Sequence, residues 1–320
     1  MALAGTIFVL DPYHEDAIEL LQSKPNCKII LPNDHFKADW HELADAILIR
    51  SETHLTEEDF DKQKKLKVVV KQGVSVNNVD LEAAKKHGVM VCTNSPGLNS
   101  ESVAEFTLAL ALTLARRVSE IDRRVRNGEI IIRSQTLGMS LFQKTIGIVG
   151  MGNIGRVVAQ KWRGAMSGKV ITYDPYAPEE AWSDIEHQRV QSLETLLVAS
   201  DVVTLHVPLT VSIRGMIGTK QLSHMKRSTI LINASRGGIV DEPALLHALK
   251  SRQIHGAALD AMEVEPPTLE AYSEFFELDS VIVTPHIGAS TAANQSKSGV
   301  EAVETVFAVL EGTGEPGRVV

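Results

Sequence analysis

Residues Thr145 to Asp174 read TIGIVGMGNIGRVVAQKWRGAMSGKVITYD. An apolar run, Ile146–Val149, leads into the glycine-rich GMGNIG, and an amphipathic segment and a second apolar run ending at Asp174 follow. Strand, glycine turn, helix, strand and acid come in the order that a dinucleotide-binding βαβ unit requires. The stretch therefore predicts a Rossmann-type parallel sheet that binds a dinucleotide at the N-terminus of its first helix.

The three glycines of this turn have separate tasks in the predicted site. Gly150 allows the tight turn, Gly152 lets the backbone approach a pyrophosphate, and Gly155 lets the helix pack against the strand. Asp174 follows about 20 residues later, where an acidic side chain accepts hydrogen bonds from the ribose hydroxyls. Because a carboxylate repels a 2′-phosphate and Pro175–Ala177 contain no cation, the sequence favours NAD over NADP.

Composition limits the classes of protein to which the chain can belong. Its 320 residues are enough for two domains, and contents of 44% hydrophobic and 22% charged residues are typical of a globular protein. The 32 basic and 40 acidic residues give a net charge of −8, which argues against nucleic acid or an anionic membrane as partner. Cys27 and Cys92 lie outside any Cys/His cluster, which predicts reduced thiols and no metal site. No secretory signal pattern is present, so we expect a cytoplasmic protein.

Short apolar runs alternate with amphipathic segments along the whole chain. This alternation predicts an α/β protein with two doubly wound parallel sheets, and the unit that contains GMGNIG is the second. The turn-rich segment Asn94–Ser100 is the natural crossing between the two units. The predicted strands are Ile7–Leu10, Cys27–Leu31, Ala46–Ile49, Val68–Val70, Val89–Val91, Ile146–Val149, Val170–Tyr173, Val202–Val207, Thr229–Asn233, Ala257–Leu259 and Val281–Thr284.

Two helices are predicted without a settled location. Val103–Ala115 (VAEFTLALALTLA) is too short to span a membrane, but it is apolar on every side, which predicts a helix covered all round. Either a second subunit covers one of its faces, or it is buried between the two domains. The final helix, about Thr291–Leu310, could stay with the second unit or return to the first.

Three residues with useful chemistry follow predicted strands of the second unit. Arg236 lies between a strand end and two glycines, where its planar guanidinium suits a bidentate grip on a carboxylate. Glu265 precedes two prolines, and His286 is bracketed by proline and glycine. Each residue alone is explained as well by an ordinary surface position.

Together, however, the three match the needs of hydride transfer to a 2-keto acid. Arg236 would bind the substrate carboxylate and polarise the adjacent carbonyl. His286 would donate a proton to the carbonyl oxygen, and Glu265 beside it would favour the imidazolium form. In the oxidative direction, neutral His286 would act as the base.

At this point the chain is identified as similar to the D-isomer-specific 2-hydroxyacid dehydrogenases. The resemblance rests on GMGNIG, NASRGGIVDEPALLHAL, ALDAMEVEPP and TPHIGAS and extends from about Ile47 to His286. It implies the catalytic set Arg236, Glu265 and His286. Formate dehydrogenases carry glutamine as the partner of the histidine, so Glu265 argues against that activity.

The resemblance also implies a domain arrangement and a cofactor site. A discontinuous, flavodoxin-like substrate domain would comprise residues 1–98 and 290–320, and a Rossmann NAD domain residues 99–289. Helix 100–117 would form a homodimer, which favours the second-subunit explanation. Together with the glycine turn, the implied cofactor site consists of Gly150, Gly152, Asn153, Ile154, Gly155, Asp174, Val207, Ala234, Ser235, Asp260 and Gly288.

Within the family, Ile49–Ser51, Asn78–Ala84 and Asn99–Ser100 resemble segments of D-3-phosphoglycerate dehydrogenases. The phosphate of the substrate, 3-phosphohydroxypyruvate or 3-phosphoglycerate, would then meet a cationic patch formed by Arg50, Lys71 and Arg133. The segment Lys71–Ser75 departs from the usual Arg-x-Gly-Thr-Gly and fits an unphosphorylated acid at least as well, for example hydroxypyruvate, glyoxylate or a bulkier keto acid. A non-enzymatic, NAD-sensing corepressor-like protein is a further alternative. The predicted substrate-binding residues are Arg50, Ser51, Lys71, Gly73, Val74, Asn99 and Arg133.

Overall fold

The computed structural model describes residues 5–320, and the chain divides into two compact units. The first unit comprises the chain up to Leu98 together with Ser290–Val320, and the second unit is Asn99–Ala289. Both consist of parallel strands with interleaved helices, which confirms the predicted α/β class.

The sheet of the first unit has the strand order β2-β1-β3-β4-β5, and all of its strand pairs are parallel. This is the flavodoxin-like order, so the prediction for this unit is also confirmed. Strands β3 and β4 are buried along their whole length, which is why their sequences AILI and VVVK are almost uniformly apolar. The strands are β1 Gly5–Val9, β2 Cys27–Ile30, β3 Ala46–Ile49, β4 Val68–Lys71 and β5 Met90–Thr93.

The sheet of the second unit has the order β12-β11-β10-β9-β6-β7-β8 and is parallel throughout. Two halves run outward from β6 and β9, as in a Rossmann fold. The strands are β6 Thr145–Val149, β7 Lys169–Tyr173, β8 Gln188–Arg189, β9 Val202–Leu205, β10 Ile230–Asn233, β11 Gly256–Leu259 and β12 Val281–Val283. The short, polar β8 was not predicted from the sequence, because it lacks the apolar run that marks the other strands.

Side-chain caps start several of the helices. Asp80, Asp241 and Thr291 each accept a hydrogen bond from a backbone N–H in the first helical turn. Two 3₁₀ turns, His35–Asp39 and Arg133–Gln135, add to them. The helices are α1 Glu15–Gln22, α2 Trp40–Leu43, α3 Glu57–Lys62, α4 Leu81–Lys86, α5 Ser100–Ala115, α6 Val118–Arg126, α7 Asn153–Met166, α8 Leu193–Ala199, α9 Thr219–Ser223, α10 Glu242–Lys250, α11 Leu269–Phe276 and α12 Ala292–Glu311.

The two helices that the sequence left unplaced have clear surroundings. Helix α12 packs against α1 and β4, so that Val303 and Val306 join the core of the first unit. Helix α5 packs on α7 and β10 within the second unit and buries Leu110 and Leu114, but Leu112 on its other side is 38% exposed. One chain therefore does not cover α5 all round.

Candidate active site

The glycine turn between β6 and α7 is shaped by close contacts at two of its glycines. Gly150 has φ +98°, and a Cβ atom there would lie 2.3 Å from the carbonyl oxygen of His206. A Cβ on Gly155 would lie 2.5 Å from the carbonyl oxygen of Gly150. In contrast, a Cβ on Gly152 would meet nothing within 4 Å. Gly150 and Gly155 are therefore required by packing, whereas Gly152 faces open space.

That open space lies at the start of a helix of 14 residues. Gly152 is the N-cap of α7 and offers no side chain to the first turn, which begins with Asn153 and Ile154. Backbone N–H groups and the positive end of the helix dipole are thus presented where Gly152 leaves room. These residues fit the pyrophosphate of a dinucleotide.

Asp174 at the end of β7 braces the same turn. One oxygen of its carboxylate accepts a hydrogen bond from the N–H of Met151 at 2.9 Å, and the other accepts from Tyr176 at 2.9 Å and Ala177 at 3.1 Å. Arg189 lies nearby, but its guanidinium donates to backbone carbonyls, including those of Asp174 and Ala177 at 2.7 Å. Arg189 carries no local sequence signal, because only the pairing of β7 with β8 brings it beside Asp174.

The residues after β9 close the other side of the glycine turn. The N–H of His206 donates to the carbonyl of Val149 at 2.8 Å, and its Nε2 lies 2.9 Å from Oγ1 of Thr204. Burial lowers the pKa of His206 to about 3, so this imidazole is neutral. Val207 contacts Gly150, since its Cγ1 lies 2.9 Å from the position of a Cβ there. Val207 thus lies against the glycine turn of the predicted cofactor site, and His206 supports the turn structurally.

Beyond β10, one buried amide shapes the turn that carries Arg236. The Nδ2 of Asn233 donates to the carbonyls of Arg236 at 2.8 Å and Ala261 at 3.2 Å. Its Oδ1 accepts from the N–H of Ser235 at 3.2 Å and from the Ser235 hydroxyl at 2.8 Å. Arg236 is half-buried, with Nη1 2.6 Å from the carbonyl oxygen of Ser235. Asn233 is the first residue of the segment NASRGGIVDEPALLHAL. Its role could not be predicted from the sequence, because it depends on the positions of the two loops that Asn233 joins.

The catalytic pair predicted from the sequence is present as a hydrogen bond. Nδ1 of His286 lies 3.0 Å from Oε2 and 3.2 Å from Oε1 of Glu265. The side chains of His286 and Glu265 are 40% and 37% exposed, so a substrate can reach them. Because Glu265 occupies Nδ1, the proton that a substrate would exchange is carried on Nε2.

A buried carboxylate holds the loop that carries His286. Asp260 is 1% exposed, and its oxygens accept from the Thr284 hydroxyl at 2.7 Å and from the N–H groups of Ile287 and Gly288 at 2.8 Å. His286 itself has φ +56°, a conformation that residues with a side chain rarely adopt. Such backbone strain persists only where the surroundings impose it. In this structure Asp260 therefore fixes the histidine loop.

The charges of Arg236, Glu265 and His286 support one another. Burial raises the pKa of Glu265, but the hydrogen bond and charge of His286, the N–H of Met262 and the charge of Arg236 outweigh it, so that the net pKa lies below the ordinary value. Glu265 is therefore a carboxylate at neutral pH. Burial lowers the pKa of Arg236, and the charge of Glu265 offsets part of this effect.

The predicted substrate residues of the first unit lie at one edge of its sheet. Arg50 and Ser51 follow β3 and Lys71 ends β4, and these strands are neighbours with Ile49 opposite Lys71. Gly73, with φ +111°, and the 43% exposed Val74 follow β4. In the second unit, Asn99 is the N-cap of α5 and Arg133 lies in an exposed 3₁₀ turn.

Two buried residues that were not predicted from the sequence hold the loop after β3. Asp11 accepts from the N–H of Arg50 and the hydroxyl of Thr53, both at 2.5 Å, and Asn78 donates to the carbonyls of Arg50 and Thr53 at 2.7 and 2.6 Å.

Residues 5–320 contain neither a metal-binding cluster nor a helix able to span a membrane. Among these residues, no group of three or more His, Cys, Asp or Glu side chains could hold a metal ion. Nor does any helix in this range have the length and hydropathy needed to cross a membrane.

Comparison with known proteins decides the family. Residues 108–288, more than half of the chain, match the family model for the NAD-binding domain of D-isomer-specific 2-hydroxyacid dehydrogenases. The chain belongs to this family. The family and the NAD cofactor predicted from the sequence are thereby confirmed.

Named relatives cover nearly the whole chain. D-3-phosphoglycerate dehydrogenase of Methanocaldococcus jannaschii is 39% identical over 96% of this chain, and the chain spans 57% of that relative. Hydroxypyruvate reductase of Thermotoga maritima is 37% identical over 95% of this chain and 98% of its own length. The crystal structure of D-lactate dehydrogenase with NAD⁺ from Lactobacillus jensenii superposes with a TM-score of 0.79 at 28% identity, covering 98% of this chain and 99% of that one. This dehydrogenase chain thus spans little more than half of the first relative and nearly all of the second.

The unequal surroundings of the glycines give a paired prediction. Gly152→Ala should fold with an unchanged melting temperature, because its Cβ meets no protein atom, yet it should weaken NADH binding about 10-fold or more by occupying the phosphate space. Gly155→Ala should instead destabilise the protein by about 1–3 kcal/mol through its clash with Gly150. Thermal unfolding and NADH fluorescence titration measure the two effects. Wild-type NADH affinity in Gly152→Ala would contradict the assignment of that space to the cofactor.

Proposed function

We propose that this protein is an NAD-dependent dehydrogenase that interconverts a 2-keto acid and a D-2-hydroxy acid. The observation that carries the proposal is the Glu265–His286 hydrogen bond at 3.0 Å beside the half-buried Arg236. Each of these residues lies just beyond the carboxyl end of one of three neighbouring strands, β10, β11 and β12. Open α/β sheets bind their ligands at this end.

Each residue has one task in the proposed reaction. When bound, NADH supplies the hydride that reduces the carbonyl carbon. Arg236 binds the substrate carboxylate with its guanidinium fork and orients the carbonyl. His286 donates the proton on Nε2 to the carbonyl oxygen, and Glu265 stabilises the imidazolium through Nδ1. In the reverse direction, neutral Nε2 accepts the hydroxyl proton.

We assign NAD to the second unit and the substrate side chain to the first unit. The glycine turn, the α7 N-terminus and Asp174 would hold the pyrophosphate and ribose, while Ala234, Ser235, Asp260 and Gly288 would face the nicotinamide. The carboxylate of Asp174 disfavours a 2′-phosphate, and Arg189 is already bound to carbonyl oxygens. Free thiols at Cys27 and Cys92 fit a cytoplasmic location.

For the substrate we propose hydroxypyruvate or its 3-phosphate. Support comes from the relatives named hydroxypyruvate reductase and D-3-phosphoglycerate dehydrogenase, both of which the chain matches over at least 95% of its length. Of the two cations at the sheet edge of the first unit, Lys71 is only 4% exposed, whereas Arg50 is half-buried. Arg50 is therefore the better placed to meet a phosphate.

The experiment that tests this activity is NADH oxidation with purified protein and a panel of keto acids. The panel contains 3-phosphohydroxypyruvate, hydroxypyruvate, glyoxylate, pyruvate, and a branched and an aromatic 2-keto acid. We expect the highest kcat/KM for one of the first two. Preference for the phosphate ester that disappears in Arg50→Ala would assign the phosphate to Arg50. Tight NADH binding without turnover of any member would contradict the proposal and favour an NAD-sensing protein.

We also propose that the protein forms a homodimer through residues 100–142, the part of the second unit that begins with α5. Seven large apolar side chains in this part of the second unit are exposed, among them Ile130 at 93%, Leu137 at 72% and Phe142 at 61%. Monomers rarely leave so much apolar surface to water. Light scattering should give the mass of two chains, and Leu137→Glu should lower it towards one. A single-chain mass for the wild type at micromolar concentration would contradict the dimer.

Removal of the guanidinium should affect substrate far more than cofactor. Arg236→Ala should lower kcat/KM for the keto acid by about 10²–10³, the loss of a charge-assisted bidentate contact, while the Kd for NADH stays within about twofold. The kcat/KM of Arg236→Lys should lie between those of the wild type and Arg236→Ala, because lysine retains the charge without the guanidinium fork. Arg227→Ala, which precedes the opposite end of β10, is the matched control. Equal losses of substrate and NADH affinity would show that Arg236 does not meet the substrate carboxylate.

The ionised state of Glu265 leads to a pH prediction. Reduction needs the imidazolium of His286, so kcat/KM for reduction falls as pH rises, and oxidation shows the opposite trend. Glu265→Gln removes the negative charge that stabilises the imidazolium, so the falling limb of reduction and the rising limb of oxidation should both move to lower pH. At neutral pH, reduction should therefore lose more than oxidation. Unchanged limbs in both directions would exclude the assigned role of Glu265.

A further inference from the structure

The loop that carries Glu265 is held by hydrogen bonds that three successive backbone N–H groups donate to side chains. Met262 donates to Oε1 of Glu265 itself at 3.2 Å. Glu263 donates to Oε1 of Glu242 at 2.8 Å, and Val264 donates to the hydroxyl of Tyr272 at 2.8 Å. Two of the three acceptors thus come from residues outside the loop.

These two acceptors, Glu242 and Tyr272, are both buried. Glu242 is the first residue of α10 and is 9% exposed, and Tyr272 lies in α11 and is 4% exposed. The Tyr272 hydroxyl accepts from Val264 and lies near the Glu242 carboxylate. Burial raises the pKa of Tyr272 to about 12, so this hydroxyl keeps its proton. Ordinary helix capping does not explain Glu242, because Asp241 is the N-cap of α10.

The same loop lies directly against the turn that carries Arg236. A Cβ on Gly237 would lie 2.0 Å from the carbonyl oxygen of Met262 and 2.7 Å from the nitrogen of Glu263, so only glycine permits this approach. Asn233 bridges the carbonyls of Arg236 and Ala261. A shift of the Met262–Glu265 backbone would therefore disturb both catalytic loops.

We propose that Glu242 and Tyr272 are a positioning pair, which holds the Met262–Glu265 backbone so that the Glu265 carboxylate stays against Nδ1 of His286. This inference rests on the proposed function. Both side chains of the catalytic pair are about two-fifths exposed, so water competes for each of them. A loop fixed by buried hydrogen bonds keeps the carboxylate in place without the entropy cost of ordering it in every turnover.

The charges around the positioning pair set the variants to be compared. Glu263 and Glu265 face Glu242, and Glu263 is paired with Arg214 at 3.0 Å. Tyr272→Phe keeps the ring in the core and removes only the hydroxyl. Glu242→Gln retains an acceptor for the Glu263 N–H, whereas Glu242→Ala removes it. Glu270→Gln, an exposed acid on α11, is the control.

The test is the pH profile of keto-acid reduction together with NADH affinity. Tyr272→Phe and Glu242→Ala should lower kcat about 10-fold, less than the roughly 10²-fold that a displacement of 1 Å can cost, and shift the descending limb to lower pH. Glu242→Gln should lose clearly less than Glu242→Ala, and the Kd for NADH should not change in any of them. Glu270→Gln should match the wild type.

A double-mutant cycle separates positioning from general damage. In the Glu265→Gln background, adding Tyr272→Phe should shift the pH limb no further, because the pair acts through Glu265. A loss of kcat that is equal in both backgrounds, with an unmoved limb, would overturn the inference even if Tyr272→Phe also lowers the melting temperature. Failure of the proposed function would look different, since the wild-type protein would then bind NADH without reducing any keto acid of the panel.

Discussion

The arrangement of the site depends on the parallel register of three neighbouring strands. Asn233 at the end of β10 lies opposite Leu259 at the end of β11, which lies opposite Val283 at the end of β12. All three strands therefore end at the same edge of the sheet, and Arg236, Glu265 and His286 follow within a few residues. Groups that are separated by up to 50 positions in the chain are brought together by backbone hydrogen bonds that involve none of their side chains.

Register alone does not aim a side chain, and buried polar residues complete the task. Asn233 shapes the arginine turn, Asp260 holds the strained His286, and Glu242 with Tyr272 holds the backbone before Glu265. Each leaves a buried donor or acceptor unpaired when it is removed, at a cost of about 1–3 kcal/mol. The exposed Glu265–His286 pair is thus carried by a buried frame, which is how a site can be open to substrate and still keep its geometry.

Local patterns were sufficient to predict much of this structure. Apolar runs located the long strands because strands of a parallel sheet are buried on both faces, and the glycine spacing located the nucleotide turn because only glycine tolerates its close contacts. Arg236, Glu265 and His286 could be predicted as site residues because each follows such a run. Contacts between distant segments were not predictable in the same way. Arg189 beside Asp174 and Tyr272 beside Val264 carry no local signal, and neither does the pairing of Val319 with Val91 along β5.

The most direct measurement follows the transferred hydrogen itself. NADH that carries deuterium at both C4 positions of the nicotinamide is oxidised by the protein with hydroxypyruvate, and the product is resolved by chiral chromatography and mass spectrometry. The account predicts a D-2-hydroxy acid that has gained one deuterium at C2, together with loss of this product in Arg236→Ala and His286→Ala. Formation of the L acid, or a product without deuterium at C2, would contradict it.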